Sequence, residues 1–311
     1  MKIVTAAAPG TCGEYIQGIV GGEPCLVSSP VDLWSTARAR TTEGPGLRLC
    51  GEKTDRALRI FAQDRGLDLS GLRIEVSSEI PKLKGMASST ADICAAVSAA
   101  AGCFDIRIGP DELASVCTRV EPSDNLMYPE LNLFSHYTGE IFDRFGCSIS
   151  ARVLALDFAE NVSTLELGRD AEFRKTEEAF APCASMLKDG ARRGDLDLIG
   201  RACTLSARLN QEMQYKPRLE LIISLCESFG GAGVMIGHSG SIVGVLHNEG
   251  FDETGFLTAF RREVPAGEAP DWMRLHLIAG GVRHSIEEIP ETEGYTGGCG
   301  NGAAYLCGGR R

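Results

Sequence analysis

The chain has 311 residues, of which 43% are hydrophobic and 23% are charged, a balance that excludes a disordered or fibrous protein. Its 42 acidic residues outnumber its 31 basic residues, so the net charge of −11 disfavours non-specific binding to nucleic acid or to an anionic membrane surface. No apolar run approaches the roughly 18 residues that span a bilayer, and the length favours two domains of about 150 residues each.

The N-terminal stretch MKIVTAAAPGTCGE has one lysine and an apolar run that a Pro-Gly pair ends too early for a secretory signal, which predicts a first strand. The 12 cysteines are scattered singly, as at Cys94, Cys117 and Cys226, in a chain far longer than disulfide scaffolds. We therefore expect mostly buried thiols in a reducing cytoplasm. Cys299 and Cys307 lie in a Gly-rich tail that lacks the CxxC spacing or nearby histidines of a metal site.

Strands and helices alternate along the predicted chain. A helix is predicted at 54–65 because Leu58, Phe61 and Ala62 share one face. The stretch near residues 159–172 is charged and has few apolar residues, so we expect the domain boundary there. The other predicted elements are short strands at 2–8, 24–40 and 47–50, a strand at 72–81, a helix after residue 88, a helix at 111–121, a strand at 148–158, mostly helix at 170–211, a helix at 217–229 and a strand-loop-strand unit at 233–247.

The segment IPKLKGMASSTAD, residues 80–92, joins a predicted strand to a predicted helix and has two interpretations. Ser89 and Asp92 have the spacing of a capping box, which would make the segment a structural helix start. The small and hydroxyl side chains at 87–90 favour an anion site, because free N–H groups and the helix macrodipole attract phosphate. The charge of Asp92 opposes this unless a cation pairs with it, and the P-loop pattern is absent. Both interpretations remain open on physical grounds.

The segment EPSDN, residues 121–125, follows the predicted helix at 111–121. A carboxylate at the end of a helix meets the negative end of the macrodipole at a cost of about 0.3–1 kcal/mol, which a bound cation would remove. An Asx turn that begins in a Pro-Ser-Asp loop is the structural alternative for these residues.

Three segments resemble, in the right order, the signature motifs of the GHMP kinases. Residues 80–92 resemble the second signature, Pro-x-x-x-Gly-Leu-Gly-Ser-Ser-Ala-Ala, with Met86 in place of Leu and Ala87 in place of the middle Gly. APGTCGEYIQG, residues 8–18, is similar to the first signature. GAGVMIGHSGSIVGVL, residues 231–246, is similar to the third, although a histidine and two serines replace some glycines.

The resemblance implies the two-domain α+β fold of that family and a site for ATP and Mg²⁺. A ribosomal-protein-like, ATP-binding domain would occupy residues 1–160, and a ferredoxin-like domain with the Gly-rich tail would occupy residues 161–311. ATP would lie in the cleft. The implied nucleotide contacts are Pro81, Lys84, Gly85, Met86, Ala87, Ser88, Ser89, Thr90 and Ala91.

The resemblance also implies roles for residues at the acceptor end of the site. Glu121, with Ser88 or Ser89, would hold Mg²⁺, which prefers few protein oxygens together with phosphate and water. The acceptor would contact Glu14, which suits an ammonium group, together with Asp124 and Asn125. Asp124 would orient or deprotonate the acceptor hydroxyl. A base is helpful rather than obligatory in phosphoryl transfer, so capping by the Asp124 side chain remains an alternative.

Within the family, four sequence segments resemble the branch that phosphorylates L-threonine, namely PGTCGEYIQG, KGMASSTADI, EPSDN and SARLNQ. That branch makes L-threonine O-3-phosphate and ADP for the aminopropanol phosphate arm of cobalamin. The alternatives are a homoserine kinase or another small-molecule GHMP kinase, and a nucleotide-binding regulator without kinase activity. The expected partners are therefore ATP and a small amino acid, without nucleic acid or membrane.

Other polar and aromatic residues are interpreted as structural. Residues 210–216, with Asn210, Gln211 and Lys216, read as helix surface despite their likeness to the threonine-phosphorylating branch. The five histidines lack the spacing of a zinc site, although His238 could contact the nucleotide through the third motif. Trp34 and Trp272 are expected to pack in the fold.

Overall fold

The computed structural model describes residues 2–43, 50–158, 177–211, 214–238, 240–265 and 268–288. Strands within these ranges are β1 (Lys2–Val20), β2 (Glu23–Thr41), β3 (Leu72–Ser78), β4 (Asn132–Ser135), β5 (Ile141–Arg144), β6 (Arg152–Asp157), β7 (Gly233–Ile236), β8 (Ile242–His247), β9 (Asp271–His276) and β10 (Arg283–Glu288). They form one sheet in the order β5-β4-β2-β1-β7-β8-β6-β9, with β10 added on β1 and β3 on β2.

Helices cover this sheet in two groups. They are α1 (Glu52–Arg65), α2 (Ser88–Cys103), α3 (Pro110–Thr118), α4 (Glu177–Arg193), α5 (Leu196–Leu209), α6 (Leu219–Ser228) and α7 (Glu253–Glu263). Helix α2 packs on β1, β2 and β3 and is flanked by α1 and α3, whereas α4 and α5 pack on each other and on β1. Among the described residues, no helix is both long enough and apolar enough to cross a bilayer.

Two long strands, β1 and β2, form the centre of the sheet. Each has 19 residues, and their antiparallel register shifts between Pro9 and Gly10 and on both sides of Glu14. Bulges of this kind bend a strand and redirect side chains. At the irregular region Glu14 also pairs with Ile236 of β7, which joins the two halves of the sheet.

Small side chains let α2 lie close to the sheet. Its residues from Ile93 to Ala101 are all buried, and most are alanine. At its C-terminal end, a Cβ on Gly102 would come within 2.6 Å of a Val4 methyl carbon. The close approach fixes the start of α2, and hence the segment that precedes it, relative to β1 and β2.

Most of the predicted elements are confirmed. The helix at 54–65 is α1, the strand at 72–81 is β3, the strand at 148–158 is β6, and the helix at 217–229 is α6. The helix at 111–121 is predicted too long, because α3 ends at Thr118 and the chain then turns, with the Val120 N–H donating to the Cys117 carbonyl. The predicted strands at 2–8 and 24–40 are parts of the much longer β1 and β2.

Several predictions concern residues outside the described ranges, namely most of the strand at 47–50, the boundary at 159–172, and Cys299 and Cys307. The division at residue 160 remains a prediction, and β6, just before it, pairs with β8 and β9. The ten described cysteines are all free thiols and seven are buried, as expected.

Candidate active site

A cavity opens where three segments meet. The start of α2 forms one wall, the turn from Glu121 to Asp124 forms a second, and Glu14 of β1 with His238 of the third motif forms a third. Lys53 of α1, His136 after β4, and two apolar residues, Leu26 of β2 and Leu83, complete the described lining. All three sequence motifs therefore contribute to this cavity.

The start of α2 is not a capping box. Helix α2 begins at Ser88 after Ala87, which has a left-handed φ of 57°, and no side chain caps the helix. The Ser89 hydroxyl instead donates to Oε1 of Glu121, while Asp92 accepts a 2.5 Å hydrogen bond from the Ser35 hydroxyl. Burial raises the pKa of Asp92, and the Ser35 hydroxyl and the charge of Lys82 oppose that shift. The hydroxyl-rich start of the helix is thus left facing the cavity.

The third motif supports the loop before α2 from behind. Gly240 has a φ of +77°, and a Cβ at this position would lie 2.2 Å from the carbonyl carbon of Lys84 and 2.4 Å from the nitrogen of Gly85. The Ile242 N–H also donates to the Lys84 carbonyl at 3.3 Å. Contact this close requires glycine, which explains why the motif is rich in glycine.

Glu121 is a buried acid of the cavity. Its side chain is only 5% exposed, and its two oxygens have different partners: Oε1 accepts from Ser89, and Oε2 pairs with the ammonium group of Lys53. The carboxylate is therefore compensated by one cation and one hydroxyl. A buried carboxylate needs such partners, because burying an isolated charge is costly.

Glu14 and Asp124 form a carboxyl pair on the opposite wall. Burial and the neighbouring charge of Asp124 raise the pKa of Glu14 well above its usual value, and burial also raises the pKa of Asp124. One Glu14 oxygen accepts the His238 N–H at 2.8 Å, and Asp124 accepts the Ser28 hydroxyl at 3.2 Å. Glu14 is buried and Asp124 is half-buried, and two adjacent carboxyl groups with raised pKa values favour sharing one proton.

Asn125 has a structural set of contacts. Its Oδ1 accepts the Ser28 N–H at 3.0 Å, and its Nδ2 donates to the carbonyl and to Oδ1 of Asn132 at 2.9 and 2.8 Å. Both amide protons are thereby engaged, and the residue does not line the cavity. The contacts fix the turn that carries Asp124, and the contact of Asn125 with the acceptor stays a prediction.

Asn210 and Lys216 are wrongly predicted as helix surface. Asn210 is fully buried and donates to the Gln17 carbonyl at 2.9 Å, and Lys216 is 3% exposed with its ammonium group 2.7 Å from the Gly240 carbonyl. Gln17 Oε1 lies 2.7 Å from Nδ1 of His238. Asn210 thus contacts the first motif, and Lys216 contacts the third.

Burial and the nearby charge of Lys216 lower the pKa of His238 to about 4, which keeps this ring neutral at pH 7. The ring contacts His136 in a tilted arrangement, with 4.7 Å between ring centroids. His136 was not among the predicted site residues, and nothing in its sequence neighbourhood points to the cavity.

Of the residues predicted to contact nucleotide, those from Gly85 to Thr90 line the cavity, whereas Pro81, Lys84 and Ala91 do not. Lys84 instead forms an ion pair with Asp157, at 3.1 Å. Sequence analysis missed Lys53, although a lysine in the first turn of a helix faces the positive end of the macrodipole and is a usable signal.

Comparison with known proteins agrees with this geometry. The model for the GHMP kinase N-terminal domain matches residues 52–127, and the model for the GHMP kinase C-terminal domain matches residues 187–265. The fold is similar to that of a homoserine kinase from Cytophaga hutchinsonii, with a TM-score of 0.68 and 15% identity over 91% of this chain and 97% of that chain.

Two curated proteins are similar over almost their whole length. An L-threonine kinase from Citrobacter freundii is 30% identical over 90% of this chain and 99% of its own, and an L-threonine kinase from Salmonella typhimurium is 31% identical over 91% and 96%. The chain belongs to the GHMP kinase family. It is a small-molecule kinase with the α+β fold expected from its three motifs.

Proposed function

We propose that the chain is an ATP- and Mg²⁺-dependent L-threonine kinase that forms L-threonine O-3-phosphate and ADP. The observation that carries this proposal is the contact between Ser89 and Glu121 at a cavity that also holds Asp124. The two similar L-threonine kinases support the choice of acceptor. The product would supply the aminopropanol phosphate arm of cobalamin, and the free thiols agree with a cytoplasmic enzyme.

The start of α2 suits the triphosphate of ATP. The N-terminal turn of the helix offers N–H groups and the positive end of the macrodipole. Ala87 in the left-handed region and Gly85 at a φ of 77° bend the backbone in front of the helix. A non-glycine residue held there costs about 1–3 kcal/mol, which supports a functional reason for the turn.

The residues present also fit Mg²⁺. Glu121 and Ser89 bring a carboxylate oxygen and a hydroxyl oxygen together, and Ser88 lines the same wall. Mg²⁺ takes one or two protein oxygens and fills its other positions with phosphate and water, so a larger acidic cluster is unnecessary. When bound, the ion would neutralise charge on the phosphates.

The carboxyl pair suits the acceptor. The ammonium group of L-threonine would replace the shared proton as the cation beside Glu14, the displaced proton would pass to solvent water, and Asp124 would then be ionised next to the acceptor hydroxyl. In the transfer, that hydroxyl oxygen forms a bond to the γ-phosphorus, the bond from phosphorus to the ADP oxygen breaks, and the hydroxyl proton passes to Asp124. The raised pKa of Asp124 favours this role, because a base is most efficient when its pKa approaches the operating pH.

An ADP-release assay with L-threonine, L-serine and L-homoserine tests the proposal, with the phosphorylated product identified by mass spectrometry. We expect threonine to give the highest kcat/KM. Strong turnover of homoserine without turnover of threonine would instead identify a homoserine kinase. Binding of ATP without transfer to any acceptor would favour a regulator.

The role of Asp124 is tested separately. Asp124→Asn should lower kcat by about 10²–10⁴-fold and leave the Kd for ATP nearly unchanged. Asp105→Asn is the matched control, because that carboxylate is 87% exposed and lies outside the cavity. A normal rate for Asp124→Asn would remove the assignment of a base.

A further inference from the structure

Lys53 occupies a position that is unfavourable for a cation in its own helix. It is the second residue of α1, whose first turn otherwise holds the acidic residues Glu52 and Asp55. A positive charge at a helix N-terminus opposes the macrodipole, whereas acidic residues there are favoured. Local helix stability therefore does not explain why a lysine occupies this position. We look for the explanation in its tertiary contacts.

Those contacts direct Lys53 into the cavity. Its ammonium group crosses from α1 to Oε2 of Glu121, 68 positions away in sequence, while Ser89 holds the other oxygen of the same carboxylate. The Lys53 side chain remains 44% exposed, against 5% for Glu121. The carboxylate is therefore fixed, and the lysine retains the freedom to leave it.

The charged side chains of the cavity lining are mostly acidic. The described lining contains the acidic side chains of Glu14, Glu121 and Asp124, and Lys53 is the only lysine or arginine within that described lining. A nucleotide triphosphate is an anion that must be compensated by cations and N–H donors. Apart from a bound metal ion, Lys53 is therefore the side chain of the described lining that can offer a permanent positive charge to the phosphates.

We propose that Lys53 binds the phosphates of the nucleotide after exchanging partners. Without a ligand it neutralises Glu121, and once a divalent metal ion occupies that carboxylate, Lys53 moves to a phosphate oxygen. Two cations at one carboxylate repel each other, whereas the triphosphate offers a new anionic partner at the same place. A lysine suits this exchange, because its ammonium group lies at the end of a flexible stem. The inference rests on the proposed function, since it requires that metal and ATP bind here.

Binding measurements on the full chain test the exchange. Calorimetric titration with Mg²⁺-ATP should show a Kd about 10- to 100-fold higher for Lys53→Gln, because a charge-assisted hydrogen bond to phosphate is lost. The Kd for adenosine should stay within about twofold, because adenosine has no phosphate. Titration with Mn²⁺ alone should give tighter binding to Lys53→Gln than to wild type, because the lysine no longer competes for Glu121.

Two further variants control the result. Arg59→Gln removes one exposed positive charge from the same helix, outside the cavity, and should leave all three affinities unchanged. Lys53→Arg keeps the charge and should retain most of the affinity for Mg²⁺-ATP. Thermal unfolding confirms that each variant is folded. If Lys53→Gln fails to fold, Lys53→Arg provides the test instead. Equal affinity of Lys53→Arg for Mg²⁺-ATP and for ATP without metal would then overturn the exchange.

The outcomes separate the two proposals. Wild-type affinity for Mg²⁺-ATP in Lys53→Gln would overturn the role of Lys53 and leave the proposed function intact. Equal weakening of adenosine and Mg²⁺-ATP would also overturn it, because the lysine would then be structural. If the wild-type chain binds no nucleotide, both the role of Lys53 and the proposed function fail.

Discussion

Replacing Gly240 by alanine should test whether the third motif positions the start of α2. The added Cβ would lie 2.2 Å from the Lys84 carbonyl carbon, so one backbone must move by roughly 1 Å to restore ordinary contact. The left-handed φ of +77° adds about 1–2 kcal/mol for a residue with a Cβ. Overpacking adds about 1–3 kcal/mol, which gives a loss of about 2–5 kcal/mol in the free energy of unfolding.

Gly66→Ala is the matched control for this variant. Gly66 has a φ of +63° and no heavy atom within 4 Å of an added Cβ, so it isolates the conformational cost. In urea unfolding, Gly66→Ala should lose about 1–2 kcal/mol and keep a normal KM for ATP. Gly240→Ala should lose more and raise that KM by about tenfold, because a displacement of about 1 Å can cost that much or more. Equal destabilisation of the two variants, with KM unchanged in both, would refute the supporting role of the motif.

Three other predictions concern the cavity. Ser89→Ala should lower the free energy of unfolding by about 1–3 kcal/mol, because it removes the hydroxyl partner of the buried Glu121 carboxylate, and it should raise the Mg²⁺ concentration for half-maximal activity. An unchanged Tm together with an unchanged Mg²⁺ requirement would contradict this. Because burial raises the pKa of Glu14 above 4.5, its contribution to stability is present below pH 4.5 and lost as pH rises through the raised pKa. Glu14→Gln should flatten that decline in urea unfolding measured as the pH is raised from 4.5. The pKa of His238 is lowered to about 4, so its contribution is lost as pH falls from 6.5 towards 4, and His238→Gln should remove this loss.

The local spacing of apolar residues predicted those helices and strands that have one apolar face. Helix α1 is an example, because its buried Leu58 and Phe61 repeat at helical spacing. The length of β1 was not predictable in this way. Its register shifts around Pro9 and Glu14 interrupt the alternation of side chains, and the strand continues because β2 and β7 pair with it across the irregular region. Pairing between distant segments thus outweighed the local pattern.

The candidate site shows a similar division. Resemblance of the motifs led to Ser89 and Glu121, which the structure brings into contact. The capping-box pattern was misleading, because Ser89 turns towards Glu121 and Asp92 turns towards Ser35, and spacing alone cannot distinguish these partners from a helix cap. Lys53 reaches Glu121 from 68 positions away, so only the tertiary fold reveals the pair.

The two walls of the cavity are compensated differently, and this difference bears on the order of events in the proposed reaction. On the wall of α2, Glu121 already has a cation, Lys53, which a metal ion can replace. On the opposite wall, the raised pKa values of Glu14 and Asp124 favour compensation by a shared proton instead. Asp124 cannot accept the proton of the acceptor hydroxyl while it shares a proton with Glu14. An acceptor with an ammonium group would displace that shared proton and ionise the pair, so recognition of an amino acid and activation of the base would be the same electrostatic event.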